Sequence, residues 1–296
     1  VAASAVTGVL LRLLARLPWT LLYGLAAVAA WLLQRVLRYR VAVARDNLTR
    51  AFPARSPREV DALLTHYYRQ VCQVAVEFVK LGGLSAAQLR AHVQTRDARA
   101  VHAELAAGRP VLLLAAHHCN WEWALQGTTL EIGAPLIAAY KPLHSAAADR
   151  ELLRLRARFG AHMVPAKKLL REVARRRGSV HAVALMADQV PFSSGSRHWL
   201  TFLGRDTAFY PGPAEIARST GYAAFFVPMH RLARGRYEID FVAVAAAGER
   251  LEPAEFTARY ARLVERQIEQ SPGDWTWTHR RWKLQPPPAE SPPVAS

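Results

Sequence analysis

In the run Val111 to Trp123, VLLLAAHHCNWEW, two residues are placed to move a proton: His117 and, five positions later, Glu122. An imidazole that donates one N–H to a carboxylate keeps a fixed tautomer, and its other nitrogen is then free to take a proton from a hydroxyl. Five positions correspond to about 140° around an ideal helix, so the two would not share a helical face. The pairing is expected instead if His117 still lies in a turn and Glu122 points back at it from the first helical turn. A helix N-terminus nearby would help keep the imidazole neutral and basic. Such a dyad suits acyl transfer, with His117 as general base and Glu122 as the carboxylate that orients it. The same residues would serve structure alone if His117 merely satisfied a strand end and Glu122 the helix terminus.

The flanking residues supply the elements this chemistry needs. Val111 to Ala116 are six apolar residues entered through Gly108, Arg109 and Pro110, the pattern of a strand buried on both faces. Asn120 is a good N-cap, and Trp121, Glu122 and Trp123 form the first turn of the helix that follows. The dyad thus falls at the carboxyl end of a strand, where open α/β sheets place their ligands. Val180 to Ala187 reads as a second buried strand, ending at Asp188 beside the turn-rich stretch PFSSGS. Two strand ends carrying His117 and Asp188 could face one crevice. Two cysteines, Cys72 and Cys119, make no disulfide framework and have no zinc spacing. Cys119 is either a nucleophile beside the base or simply small enough for a tight turn.

HHCNWE resembles the H-x4-(D/E) motif of membrane acyltransferases, and more narrowly the bacterial lipid A biosynthesis (lauroyl/myristoyl) acyltransferase family, whose members often read HFGNWE here. Only His117 fits the spacing, because five positions after His118 stands Trp123. Other stretches match in the same order: Asn47-Leu48 with Phe52-Pro53, Tyr140-Lys141-Pro142, LRLRARFG from Leu153, Ala187-Asp188-Gln189, FLG from Phe202, and SPGDWTWTHRRWK from Ser271 to Lys283. The resemblance spans roughly Leu10 to Lys283. It implies a central mixed sheet flanked by helices, a glycerolphosphate-acyltransferase-like α/β sandwich, with an N-terminal hydrophobic membrane-anchoring helix. It makes Asp188 a site residue and places an essential arginine where Arg156 stands, with Arg158 as second choice. Candidates for substrate binding or transition-state stabilisation are therefore Arg156, Asp188, Arg158 and Asn120. The implied donor is acyl-[acyl-carrier protein], the implied acceptor a lipid A precursor, and no metal or other cofactor is expected. Relatives with the same motif acylate other glycolipids or aminolipids, some from acyl-CoA, so the motif fixes the reaction more tightly than the substrate.

Composition agrees with such partners. The 296 residues are 51% hydrophobic and carry a formal charge of +16, with 34 arginines among 39 basic residues. That charge suits phosphate-bearing lipids, an anionic bilayer or an acidic carrier protein. The basic residues are spread along the chain and no nucleic-acid motif accompanies them, so nucleic acid is not an expected partner. Leu17 to Leu33 is a 17-residue run without charge, slightly short of the roughly 20 residues that span a bilayer. Its small residues Ala26 to Ala30 would also fit a signal-peptide cleavage region, but the family keeps this segment as an anchor. Arg35, Arg38, Arg40 and Arg45 follow it against Arg12 and Arg16 before it, which favours a catalytic body on the cytoplasmic side of the inner membrane. An interfacial helix satisfies the same composition.

The rest of the chain alternates helices and strands. Helices are expected over Ser56–Gly82, Asp97–Ala107, Ala146–Phe159, Lys167–Arg177, Pro211–Thr220 and Pro253–Gln270. Further strands are expected over Pro135–Tyr140, Ala223–His230 and Tyr237–Val244, the last two joined at Arg234-Gly235. This divides the chain into an anchoring segment (1–45), an acyltransferase domain (46–283) and a proline-rich tail (284–296).

Overall fold

A computed structural model describes residues 11–191 and 196–286, so most of the proline-rich tail and the centre of the PFSSGS stretch lie outside the described residues. The core is a six-stranded sheet in the order β11–β8–β2–β5–β3–β4, formed by β2 (Val111–Ala115), β3 (Leu136–Tyr140), β4 (His162–Pro165), β5 (Ala182–Met186), β8 (Ala223–Phe226) and β11 (Val242–Ala245). Five of these strands run parallel, and β11 closes one edge antiparallel to β8. Side chains alternate across the sheet with period two. Leu112 and Leu114 of β2 face one hydrophobic core, and Val111 and Leu113 face the other.

Helices cover both faces, which is why β2 reads as a continuous apolar run. One face packs α3 (Pro57–Leu81), α8 (Leu169–Arg175) and α10 (Pro253–Gln270), the last through Phe256, Tyr260, Val264 and Ile268 at four-residue spacing. The other packs α4 (Ala86–His92), α5 (Arg99–Ala106), α6 (Trp121–Ile132) and α7 (Ala146–Arg156) through Leu89, Val101, Trp123 and Leu155. α2 (Val41–Ala51) and α9 (Gly212–Thr220) are further helices, and β6 (His198–Phe202) with β7 (Arg205–Phe209) forms a separate hairpin. Gly127 lets α6 approach the short strand β1 (Val93–Thr95), since a Cβ there would stand 2.6 Å from Val93 Cγ1.

Two strands differ from expectation. Ala223–His230 is split into β8 and β9 (Met229–Ala233), and Tyr237–Val244 into β10 (Arg236–Ile239) and β11. The break falls at Pro228, which has no N–H for the ladder and whose carbonyl instead accepts from Asp240 N at 3.2 Å. After the break the chain joins a second sheet, β1–β10–β9, and returns through β11. The turn at Arg234-Gly235 does connect β9 to β10, with Gly235 at φ +66°.

The uncharged N-terminal run forms helix α1 (Trp19–Trp31), continued by a π-helical turn over Leu32–Val36. Among the described residues Trp19–Val36 is the one helical run long and apolar enough to cross a membrane. It does not stand free of the body. Leu22, Ala26 and Ala30 are buried, Gln34 Nε2 donates to Thr65 Oγ1 at 3.0 Å, and Lys80 Nζ donates to the Leu17 carbonyl at 2.7 Å. The opposite side exposes Leu21, Leu25, Val28 and Trp31.

Candidate active site

Sheet register brings the two strand ends together. Ala115 of β2 pairs with Met186 of β5, so His117 and Asp188, each two residues beyond that pair, leave adjacent parallel strands side by side. His117 Nδ1 lies 2.8 Å from Asp188 Oδ1, and the His117 backbone N–H donates to Asp188 Oδ2 at 3.0 Å. Trp275 Nε1 donates to the same Oδ2 at 2.9 Å. The Tyr260 hydroxyl pins both strand ends by donating to the Ala115 carbonyl at 2.8 Å and accepting from Ala187 N at 3.3 Å. Burial pushes the Asp188 carboxyl pKa up, but the neighbouring imidazole and the bonds from His117 and Trp275 outweigh it and hold the pKa at about 2. An ionised carboxylate accepts only, so the Nδ1 that meets it carries the proton and Nε2 is the basic nitrogen.

The expectation that Glu122 orients His117 therefore differs from the structure, in which that contact is made by Asp188. Glu122 sits in the first turn of α6 and is gripped by Arg156 from the last turn of α7, with Nε to Oε2 at 2.9 Å and Nη2 to Oε1 at 2.5 Å. Trp121 Nε1 also reaches Oε1, at 3.2 Å. A bidentate guanidinium is a strong, geometrically specific partner for a carboxylate, and it turns Glu122 toward α7 rather than back to the turn. Arg156 Nη1 is not engaged by Glu122.

Asn120 caps α6 by accepting from Trp123 N at 3.0 Å. Arg158 is not part of this cluster: it donates to the Leu84 carbonyl at 3.2 and 2.7 Å and so ties α7's end to the α3–α4 connection. Cys119 is buried, and burial pushes its thiol pKa far up, which leaves a neutral thiol rather than a nucleophile. Its φ of +58° is left-handed, a conformation that glycine adopts without strain, and its N–H is held by the Asp274 carbonyl at 2.9 Å. His118 is buried on the far side of the turn, 3.0 Å from the Ser271 carbonyl. Among the described residues no group of three or more His, Cys, Asp or Glu side chains could hold a metal ion.

Beside these groups a cleft open to solvent runs between α6 and the sheet. Its walls are apolar, from Leu113, Ala124, Leu125, Ala138 and Ala184, and its polar end is formed by Glu122 and Arg156. Trp121 forms part of the wall and packs against the His117 ring at 5.6 Å between centroids. The lining of the cleft suits an apolar chain that carries a polar group at the mouth.

Burial also sets an acid limit on stability. It lowers the pKa of His118, and it lowers that of His279 to about 4, in keeping with His279 Nε2 accepting from Val190 N at 3.1 Å. An unfolded chain binds protons at such groups below about pH 6.5 while the folded chain does not, so stability falls as pH falls toward 4. The Asp188 carboxylate adds a further loss from its ordinary range near pH 4 down to about 2. The urea midpoint is expected to hold above pH 7 and decline from pH 6.5 to 4, with His279→Asn flattening part of the decline. A midpoint independent of pH over that range would contradict it.

Sequence comparison places the chain in a family. Residues 2–284 match the family model for bacterial lipid A biosynthesis acyltransferases. The lipid A biosynthesis palmitoleoyltransferase of Escherichia coli (strain K12) is 23% identical over 271 residues, covering 92% of this chain and 88% of that protein. The lipid A biosynthesis acyltransferase of Shigella flexneri matches with the same identity and coverage. With a family match that spans nearly the whole chain and takes in every residue of the His117–Asp188 and Glu122–Arg156 pairs, the protein belongs to the bacterial lipid A biosynthesis acyltransferases and is an acyltransferase.

Proposed function

We propose that the protein transfers a fatty acyl chain from an acyl-carrier thioester to a hydroxyl of a lipid A precursor, with His117 as general base. The observation that carries this reading is an imidazole paired at Nδ1 with a buried carboxylate and packed on the wall of an apolar cleft. His117 Nε2 takes the proton of the acceptor hydroxyl as its oxygen attacks the thioester carbonyl carbon. Arg156, anchored by Glu122, faces the negative charge that develops on the carbonyl oxygen. Collapse of the tetrahedral intermediate breaks the C–S bond, and the imidazolium returns the proton to the departing sulfur. Asp188 stabilises the imidazolium throughout, and Asn120 positions the helix that carries Glu122. The parallel strand ends that carry the site support a glycerolphosphate-acyltransferase-like sandwich.

The exposed stripe of α1 supports an interfacial anchor rather than a spanning one, because the helix's other side is already occupied by the body. Exposed Arg35, Arg38 and Arg40 next to the stripe suit anionic headgroups on the cytoplasmic leaflet of the inner membrane. The test is transfer from labelled acyl-[acyl-carrier protein] into a membrane lipid extract, with the product identified by mass. Label in a lipid A precursor is expected. Label only from acyl-CoA, or only in another glycolipid or aminolipid, would replace the donor or the acceptor, and release of free fatty acid alone would make the protein a hydrolase.

The cleft also predicts chain-length control. Ala184 lines its wall, and leucine there adds three carbons to the space a chain would fill. Ala184→Leu is expected to shift product chains shorter by two or more carbons at little loss of rate with the shorter donor. An unchanged product distribution from mixed donors would mean that the chain lies elsewhere.

A further inference from the structure

The most buried carboxylate outside the chemistry above lies on α3. Glu77 of α3 is fully buried, yet three side chains donate to it: the Tyr23 hydroxyl at 2.9 Å, Asn120 Nδ2 at 2.7 Å and the Tyr237 hydroxyl at 2.6 Å. Arg231 Nη1 in turn donates to the Tyr237 hydroxyl at 2.7 Å and brings a cation close to the carboxylate. The Glu77 backbone carbonyl accepts from Trp123 Nε1 at 3.1 Å. Such a satisfied network in a low-dielectric interior is worth more than its members in water, and losing a member leaves the rest exposed to a large penalty.

Two of the donors belong to elements with different tasks. Tyr23 lies on α1, whose outer stripe of Leu21, Leu25, Val28 and Trp31 is exposed. Asn120 is the cap of α6, and both ends of its amide are committed, Oδ1 to Trp123 N and Nδ2 to Glu77. The next two residues are Trp121 and Glu122, which line the cleft. The turn between β9 and β10 closes over the Tyr23 end of the network, since a Cβ on Gly235 would stand 2.5 Å from the Tyr23 hydroxyl. The seat of the lipid-facing helix and the first turn of the helix that builds the site therefore meet at one water-shielded carboxylate.

We propose that Tyr23, Glu77 and Asn120 form a relay through which lipid engagement of α1 fixes the first turn of α6, so that transfer is faster to an acceptor presented in a bilayer than to one dispersed singly. The two states are α1 seated with the Tyr23–Glu77 bond made, and α1 displaced with that bond open. Lipid that covers the outer stripe while the body holds the inner side favours the seated state, and where seating favours the ordered α6 turn, the ordered turn favours seating by the same coupling. Tyr23 and Glu77 are positioning residues that touch neither donor nor acceptor. The rate effect rests on the acyltransferase reading, whereas the ordering of the turn does not.

Two measurements separate these parts. The first is hydrogen–deuterium exchange of the segment around Asn120 to Ala124, with and without vesicles of phosphatidylethanolamine and phosphatidylglycerol. Vesicles are expected to slow this segment several-fold in the wild type and to leave it unchanged in Tyr23→Phe, which removes one oxygen and leaves Glu77 two side-chain donors. The second is kcat on bilayer-presented against detergent-dispersed acceptor. The wild-type ratio is expected to exceed ten and to fall near one in Tyr23→Phe, with KM and the dispersed-acceptor rate unchanged, while Glu77→Gln lowers the ratio partway. Equal vesicle protection in wild type and Tyr23→Phe overturns the relay. So does an equal loss of rate in both presentations with a lower melting temperature, which is the mark of a purely structural bond. Wild-type activity in His117→Ala would instead sink the acyltransferase mechanism and leave the exchange result to stand alone.

Discussion

His117→Ala is expected to retain the fold and to lose acyl transfer by about 10²- to 10⁴-fold in kcat, the usual range for removing a positioned general base. The fold survives because the Asp188 contacts that do not involve the imidazole remain: the backbone N–H of residue 117 and Trp275 Nε1 still donate to Oδ2. The His117 side chain is also partly exposed, about one-fifth of its surface, so truncation opens the site to water instead of leaving a sealed void. What disappears is the nitrogen that takes the acceptor's proton, and no other described imidazole stands in its place. His118 is turned away and bonded to Ser271, while His279 accepts from Val190. Binding of lipid vesicles should not change, because the exposed stripe of α1 and the arginines beside it are untouched. A non-catalytic lipid-binding protein would give the reverse pattern, full function in His117→Ala and loss when Arg35, Arg38 and Arg40 are removed. Transfer into lipid, with circular dichroism and vesicle sedimentation on the same samples, separates the two.

Much of this site is readable in the sequence, and what is not has a physical reason. The apolar run of β2, the N-cap Asn120 and the strand end at Asp188 are local signals, and each element forms where those signals lie. The partnering of the charged groups is not local. His117 and Asp188 are 71 residues apart and meet only because β5 is the neighbour of β2 in register, while Glu122 and Arg156, 34 apart, meet through the packing of α6 on α7. Side-chain spacing within one segment favours the partner five residues away, and tertiary placement decides otherwise. Trp275 lies in the SPGDWTWTHRRWK stretch, where nothing local reveals its hydrogen bond to Asp188, 87 residues earlier. Glu77 left still less trace, as one acidic residue between the apolar positions of a long helix. Some missed structure was legible. The S-x-x-Q capping box at Ser85 and Gln88 marks the start of α4, and Pro228 marks the strand break. The β6–β7 hairpin was harder, since its turn begins with Leu203 at φ +51°, a residue that does not advertise a left-handed conformation.

Asp188→Asn tests which carboxylate serves the histidine, and the hydrogen bonds fix the expected result. Three N–H groups converge on the two oxygens of Asp188, from His117 Nδ1, His117 N and Trp275 Nε1. An asparagine has one oxygen, and two of the three donors point at the Oδ2 position. Its oxygen therefore belongs there, and its NH₂ must face His117 Nδ1. That donor forces Nδ1 to accept, moves the imidazole proton to Nε2, and leaves no basic nitrogen for the substrate. The corresponding change in a serine-protease triad lowers kcat by about 10⁴, and Asp188→Asn is expected to approach that loss with the melting temperature little changed. Glu122→Gln should behave differently. It leaves the bidentate geometry of Arg156 in part but strips a partly buried cation of its counter-charge, at a cost below the about 3–5 kcal/mol that follows when one member of a fully buried pair is removed. A lower melting temperature is expected, with a smaller fall in kcat than in Asp188→Asn and a tautomer at His117 that stays as in the wild type. Nitrogen-15 shifts of His117 read that tautomer directly. If Glu122→Gln shifted the proton to Nε2 and Asp188→Asn did not, the orienting role would belong to Glu122, and the contacts seen at Asp188 would be structural only.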